Sequence, residues 1–201
     1  MEDAMSATVE HEKRKREILE KALDVFVEEG YADTTFQKIA DRCGITRTIL
    51  YLYFKNKREI FTFSIKRFTE RLEESLRAIV ADDALASFEK LERIAVLTVE
   101  NCVEHARLLS VIMAYLTHMK RSGGDTAERV RRRTIRMRHI IAGVVIAGQK
   151  KGELARVPLK PVIELFYSIV ESAIFRVTML DNDSVDELAS AARLFINRLK
   201  N

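Results

Sequence analysis

The sequence predicts an all-α protein, and three observations predict it. Seven glycines and two prolines in 201 residues leave few helix breakers. Apolar residues recur at spacings of three and four along most of the chain, and no stretch alternates apolar with polar residues as a half-buried strand does. Hydrophobic residues make up 47% and charged residues 32%, a globular balance that excludes a disordered or collagen-like chain.

Each helix has its own signal. Ile18, Leu19, Ala22, Leu23 and Phe26 lie on one face of a first helix, which Gly30 follows. Phe36, Ile39, Ala40 and Cys43 give a short second helix. Thr34 and Gln37 form a capping box at its start, and Gly44 is its left-handed stop. Thr46 caps a third helix reaching Phe54, with Ile45 and Leu50 placed to staple its entry. Asn56 and Glu59 open a long fourth helix, whose apolar face carries Ile60, Phe61, Ile65, Phe68, Leu72, Leu76 and Ile79. Further helices are predicted at about 84–104, 107–120, 125–151, 161–179 and 185–199. Asp125 with Glu128 and Ser184 with Glu187 read as capping boxes, and Pro161 suits a first helical turn. The predicted organisation is a flexible tail at 1–10, a helix-turn-helix domain at 11–56, and a second helical domain at 57–201.

Several functional classes are disfavoured by the same residues. Met1 to Lys21 alternates charge without an apolar core, so no secretory signal is expected. The longest nonpolar run, Ile140 to Gly148, is nine residues and too short to cross a bilayer. Cys43 and Cys102 lack metal or redox spacing, so a cytoplasmic protein without cofactor or metal is expected. An enzyme built on a carboxylate-bridged metal pair needs Glu-x-x-His, and none of His11, His105, His118 and His139 has glutamate three positions before it. Gly143 to Lys150 has the glycine spacing of a phosphate loop, but Gln149 stands where the lysine belongs and the segment is helical. Asn182-Asp183-Ser184 matches a glycosylation acceptor, which carries no meaning in a cytoplasmic chain. No enzyme is expected.

The positive signal is the helix-turn-helix at 36–54, whose geometry lays a second helix across the DNA major groove. Such a helix needs an apolar back, here Ile45 and Leu50, and a short polar or basic front, here Thr46, Arg47 and Thr48. Arg47 can fork onto guanine, and the threonines can meet base edges or a thymine methyl. Tyr51, Tyr53, Lys55 and Lys57 are placed for phosphates, Lys57 at the first turn of the fourth helix, where free backbone amides also favour an anion. The whole chain carries a net charge of +4, whereas residues 34–58 alone carry six basic side chains against one acidic. Residues 1–33 are acidic on balance. The alternative is two packed helices with no DNA role.

The motifs Gly30-Tyr31, Thr34-Thr35, Ile39-Ala40, Gly44-Ile45-Thr46-Arg47, Leu50-Tyr51 and Tyr53-Phe54-Lys55-Asn56-Lys57 resemble the N-terminal signature of the TetR family of bacterial transcriptional regulators. The resemblance is specific over about residues 15–63; beyond them it is architectural, with Gly148 to Leu154 similar to the end of the family's seventh helix. It implies a homodimer that reads a palindromic operator and is released from it by a small molecule in the C-terminal domain; the expected function is a ligand-responsive repressor in which the ligand shifts helix four. It also implies phosphate contacts by Thr34 and Thr35 with Tyr51, Tyr53 and Lys57, and base contacts by Arg47 and Thr48. Ile49 departs from the family's usual threonine or serine, Thr48 from a small residue or proline, and Leu52 from an aromatic or basic residue.

The remaining two thirds would supply dimerisation and effector binding. The 161–179 segment is apolar nearly all round, through Val162, Ile163, Leu165, Phe166, Ile169, Val170, Ala173, Ile174 and Val177. Such a helix is buried on every face, between its own domain and a second subunit or wholly inside a monomer. Val185, Leu188, Ala192, Phe195 and Leu199 give the last helix a narrower stripe. Polar groups among apolar faces mark a candidate effector pocket of Asn101, His105, Met113, His118, Tyr167, Glu171 and Phe175, each of which also has an ordinary structural role open to it. The arginines at 129–138 and the basic cluster Lys13 to Arg16 read as solvated faces or as additional DNA contacts. A rival reading keeps the fold as a small-molecule-binding or assembly protein whose helix-turn-helix no longer reads DNA.

Overall fold

A computed structural model describes residues 2–180 and 186–201, with backbone alone described at 2–8 and at 133. Among the described residues the secondary structure is nine helices: α1 (Glu2–Asp33), α2 (Phe36–Cys43), α3 (Arg47–Tyr53), α4 (Lys57–Ala81), α5 (Ser87–Glu104), α6 (Ala106–Arg121), α7 (Thr126–Lys151), α8 (Leu159–Met179) and α9 (Asp186–Asn197). The one extended pairing among these residues is an isolated bridge between Leu154 and Lys200. No helix is long and apolar enough to cross a membrane. The all-α expectation therefore holds, with helix ends within a few residues of those predicted.

The N-terminal stretch expected as a tail is instead helical from Glu2, continuous with α1. Gly30 interrupts α1 near its end with φ +79° and ψ 165°, a conformation that a side chain would strain. The Ser184–Glu187 cap lies outside the described residues. Two other caps form by half. Asp125 accepts the Glu128 N–H at 2.9 Å, but the Glu128 carboxylate turns to Arg131 and Arg132. Asn56 accepts the Glu59 N–H at 2.9 Å, while the Glu59 carboxylate takes the Lys55 N–H.

The chain divides into two compact units, Met1–Glu70 and Arg71–Asn201. The division falls inside α4 rather than at its start. Ile60 and Phe61 of α4 are fully buried, and Ser64 donates to the Leu19 carbonyl of α1 at 2.9 Å, so the first half of α4 is part of the first core. That core joins Ile18, Leu19, Ala22, Val25 and Phe26 to Ile39, Ala40, Leu50 and Phe54. Phe61 meets Phe26 edge-on at 4.7 Å and Tyr31 at 4.9 Å between ring centres.

The second unit is organised around α5, which packs against α7, α8 and α9. Leu91, Ile94 and Ala95 of α5 join Ile141, Val144 and Val145 of α7, Phe166 of α8 and Ile196 of α9. The N-terminus of α5 is completed from far away: Glu153, in the turn after α7, accepts the Ser87 N–H at 2.7 Å. This bond holds the Glu153 carboxyl below its ordinary pKa, as expected for an anion at a helix N-terminus. Helix α8 is not buried all round. Leu165, Phe175 and Met179 are exposed on it, as is Leu194 on α9.

Candidate nucleic-acid interface

The turn between α2 and α3 is built by its caps. Thr35, one residue later than predicted, is the N-cap of α2 and accepts the Lys38 N–H at 3.2 Å. Gln37 serves no cap and donates instead to Asp41 at 2.7 Å. Gly44 ends α2 at φ +67°, and the Ile45 N–H reaches back to the Ala40 carbonyl at 3.0 Å, the double-bonded helix stop that a left-handed residue permits. Thr46 caps α3 by accepting the Ile49 N–H at 3.3 Å, and Leu50 is buried beneath it, both as predicted.

These caps leave a defined outer surface on α3. Arg47, Thr48 and Tyr51 are exposed together, with the Arg47 guanidinium donating to the Tyr51 hydroxyl at 3.3 Å. The Tyr51 ring rests on Phe36 of α2 at 4.7 Å, which fixes the tyrosine without hiding it. Tyr53 is half-buried and stacks on His11 of α1 at 4.7 Å. His11 is a neighbour that sequence reasoning missed, because nothing in the chain links positions so far apart. Thr35 and Lys55 are exposed at the rim. Two apolar residues, treated in the sequence only as departures from a family pattern, are also exposed: Ile49 at 40% and Leu52 at 74%.

Two of the predicted contact residues have inward roles. Thr34 is buried, and its hydroxyl donates to the Gly30 carbonyl at 2.6 Å, satisfying an acceptor left where α1 breaks. Lys57 spends its ammonium on the Tyr31 and Ala32 carbonyls at 2.8 and 2.9 Å, and lies 4.7 Å over the Tyr31 ring. Partial burial lowers its pKa, with Asp33 opposing the shift. Orphan carbonyls at the end of α1 attract this cation more directly than a distant phosphate would. Lys57→Met should therefore destabilise the first unit by about 1–2 kcal/mol. Thermal unfolding reads this. An unchanged melting temperature combined with a DNA-binding salt slope reduced by about 1 would return Lys57 to a phosphate.

The surface is also less positive than composition suggests. Lys38 pairs with Glu29 at 2.6 Å, and Arg42 forks onto Glu28, so the acidic end of α1 neutralises both of α2's cations in place. Arg47, Lys55 and Arg58 remain exposed. In the basic run of α1, Arg14 pairs with Glu17, Arg16 reaches the Glu12 carbonyl, and Lys15 covers the Phe54 and Phe63 rings.

In the second unit, the seven predicted pocket residues do not converge. Met113 and His118 share a groove of about 350 Å³ with Ser110, Ala114, Thr117, Arg121, Thr178 and Met179. His105 ends α5, its Nδ1 3.1 Å from the Asn101 carbonyl oxygen. Glu171 and Phe175 are exposed on α8. A larger groove of about 440 Å³, lined by Ile79, Arg93, Val96, Leu97, Arg193 and three glutamates, contains none of the seven. The arginines of α7 are largely paired. Arg131 and Arg132 hold the Glu128 carboxyl down to about 2, Arg136 reaches Glu73, and Arg138 bonds Glu164 at 2.7 Å.

Tyr167 is a core residue. Its hydroxyl donates to the Thr134 carbonyl at 2.9 Å under the Arg138 guanidinium, and burial pushes its pKa up to about 12. Unfolded chain loses this proton near pH 10, two units before the folded protein, so the stability held by neutral Tyr167 is full below about pH 10 and lost between there and about pH 12. Unfolding measured from pH 9 upward should fall more steeply in the wild type than in Tyr167→Phe; parallel curves would refute the assignment.

Residues 18–62 match the model of the bacterial regulatory proteins, tetR family. The fatty acid metabolism regulator protein of Bacillus subtilis is 37% identical over 73 residues, which are 32% of this chain and 38% of that protein. The matched stretches cover 30–58% of the first curated relatives' lengths. Among solved structures, a TetR transcription regulator from Haloarcula marismortui superposes with a TM-score of 0.82 at 20% identity, over 94% of this chain and 100% of that one. The Bacillus subtilis transcriptional regulator FadR, in complex with stearoyl-CoA, does so at 0.67 and 21%, over 90% and 96%. The fold agrees along nearly the whole chain, while the family match is confined to residues 18–62, which include the capped helix pair described above. Residues 18–62 therefore carry the domain that the tetR family of bacterial regulatory proteins shares, and the rest of the chain is similar to its members in fold.

Proposed function

We propose that this protein is a ligand-responsive transcriptional repressor that reads a palindromic operator as a homodimer. The observation that carries the reading is the exposed face of α3, where Arg47, Thr48 and Tyr51 project from a helix fixed at both ends and packed from beneath. Arg47 addresses guanine, Thr48 an adjacent base, and Tyr51, Tyr53, Thr35 and Lys55 the flanking phosphates. A seven-residue helix reads few base pairs, so a two-fold dimer doubles the site. The exposed apolar side chains of α8 and α9, Leu165, Phe175, Met179 and Leu194, support a second copy docking there.

The effector is proposed to bind in the second unit, with the groove holding Met113 and His118 as its site. It acts by binding the operator-free arrangement more tightly than the operator-bound one, since a ligand without that preference shifts nothing. The relative whose solved structure holds stearoyl-CoA makes acyl-CoA the first effector to try.

Selection of bound duplexes from a random library, with purified protein at physiological salt, tests the reading. Recovery of an inverted repeat is expected, and Arg47→Ala should relax its sequence while leaving nonspecific binding in place. Unpatterned DNA, or none, would favour a small-molecule-binding or assembly protein with a silent head.

A further inference from the structure

We infer that Ile49 and Leu52 determine operator sequence by packing on thymine methyl groups, an inference that rests on the DNA-reading role proposed above. The two residues are three apart on α3 and so share one helix face. They are 40% and 74% exposed, on a helix whose other large aliphatic, Leu50, is wholly buried. Arg47 and Tyr51, four apart and hydrogen-bonded, form a second row on the other side of Thr48. The outer surface of α3 thus carries a donor row beside an aliphatic row.

The surroundings name the occupant. An aliphatic pair on a short helix that also exposes Arg47 and Thr48, with Lys55 and Arg58 exposed just beyond its end, is complementary to an anionic partner that carries small apolar groups. The major groove of duplex DNA is such a surface, since phosphates line its rims and the C5 methyl of thymine is its one apolar feature. The donor row matches guanine, and the aliphatic row matches thymine. Neither side chain can hydrogen-bond, so their contribution to sequence choice is read through methyl burial alone.

The test replaces each thymine of the recovered half-site, one at a time, by deoxyuridine, which removes that methyl and keeps every hydrogen-bonding edge. Binding by the full-length wild type should weaken about fourfold at two positions, the worth of one buried methyl at each. Ile49→Ala should erase the thymine–deoxyuridine difference at one of them and Leu52→Ala at the other, with both variants still folded by circular dichroism and still binding duplex DNA. Equal binding of thymine and deoxyuridine everywhere, or a difference that survives both variants, overturns the inference while leaving an operator-binding protein. A protein that selects no operator fails the DNA-reading role and this inference together. A change in sedimentation coefficient in either variant would make the patch a contact between copies of the chain and also overturn it.

Discussion

Phe61→Ala should lower the stability of the first unit by about 3–5 kcal/mol and abolish operator binding at 37 °C, although Phe61 is not on the reading helix. The ring is fully buried and meets both Phe26 and Tyr31 within 5 Å of ring centres, so truncation leaves a void bordered by two other rings. Rigid aromatic neighbours collapse poorly into such a space, which places the cost toward the upper part of the range. Tyr31 also supplies one of the carbonyls held by Lys57, so the void loosens the joint through which α1 reaches α2. Denaturant unfolding and duplex binding on the same sample check this. Retained binding with a lowered midpoint would show that the head tolerates a softened core.

Gly148→Ala should cost about 1–3 kcal/mol, even though alanine ordinarily improves a helix. A Cβ at Gly148 would lie 2.6 Å from Leu154 Cδ1 and from Ser87 Cβ, and 2.8 Å from Leu154 Cγ. Leu154 is itself buried in the main cluster of the second unit, and Ser87 is fixed by its bond to Glu153, so neither retreats easily. Gly143, five residues earlier on α7, provides the contrast. Nothing lies within 4 Å of its would-be Cβ, and Gly143→Ala should stabilise by about 0.5–1 kcal/mol. Opposite signs from the two glycines in thermal melts are the expected result; equal signs would contradict the packing at the end of α7.

Local chemistry was legible in the sequence wherever the partners were local. Gly44, Thr46 and Leu50 do what their positions predict, because a cap or a staple is decided within one helical turn. Thr34 and Thr35 show the limit. Both are threonines before a helix, and which hydroxyl caps α2 depends on how Gly30 breaks α1 and turns Thr34 inward to its carbonyl. Lys57 reads as a free cation in the sequence because the carbonyls that hold it are twenty-five and twenty-six positions away. The pairing of Lys38 and Arg42 with Glu29 and Glu28 was hidden for the same reason, and so the charge of the head was overstated. The effector residues fared least well. Periodicity places Asn101, Glu171 and Phe175 on helices, but which face becomes a cavity wall depends on how neighbouring helices pack.

The reach of Glu153 back to Ser87 bears on the order in which the molecule is made. Every buried contact of the first core lies within the first 70 residues, so that unit can close while the rest of the chain is still in the ribosome. The second unit cannot follow step by step. At its start, α5 has Glu89 on the Ala86 N–H but lacks the acceptor for the Ser87 N–H until residue 153 emerges, and its core runs from Leu76 to Leu199. Leu199 also accepts the Ala155 N–H at 2.8 Å, closing the turn after α7. Nascent chains therefore pass through a stage with a closed first unit followed by helices whose apolar faces have no partners yet.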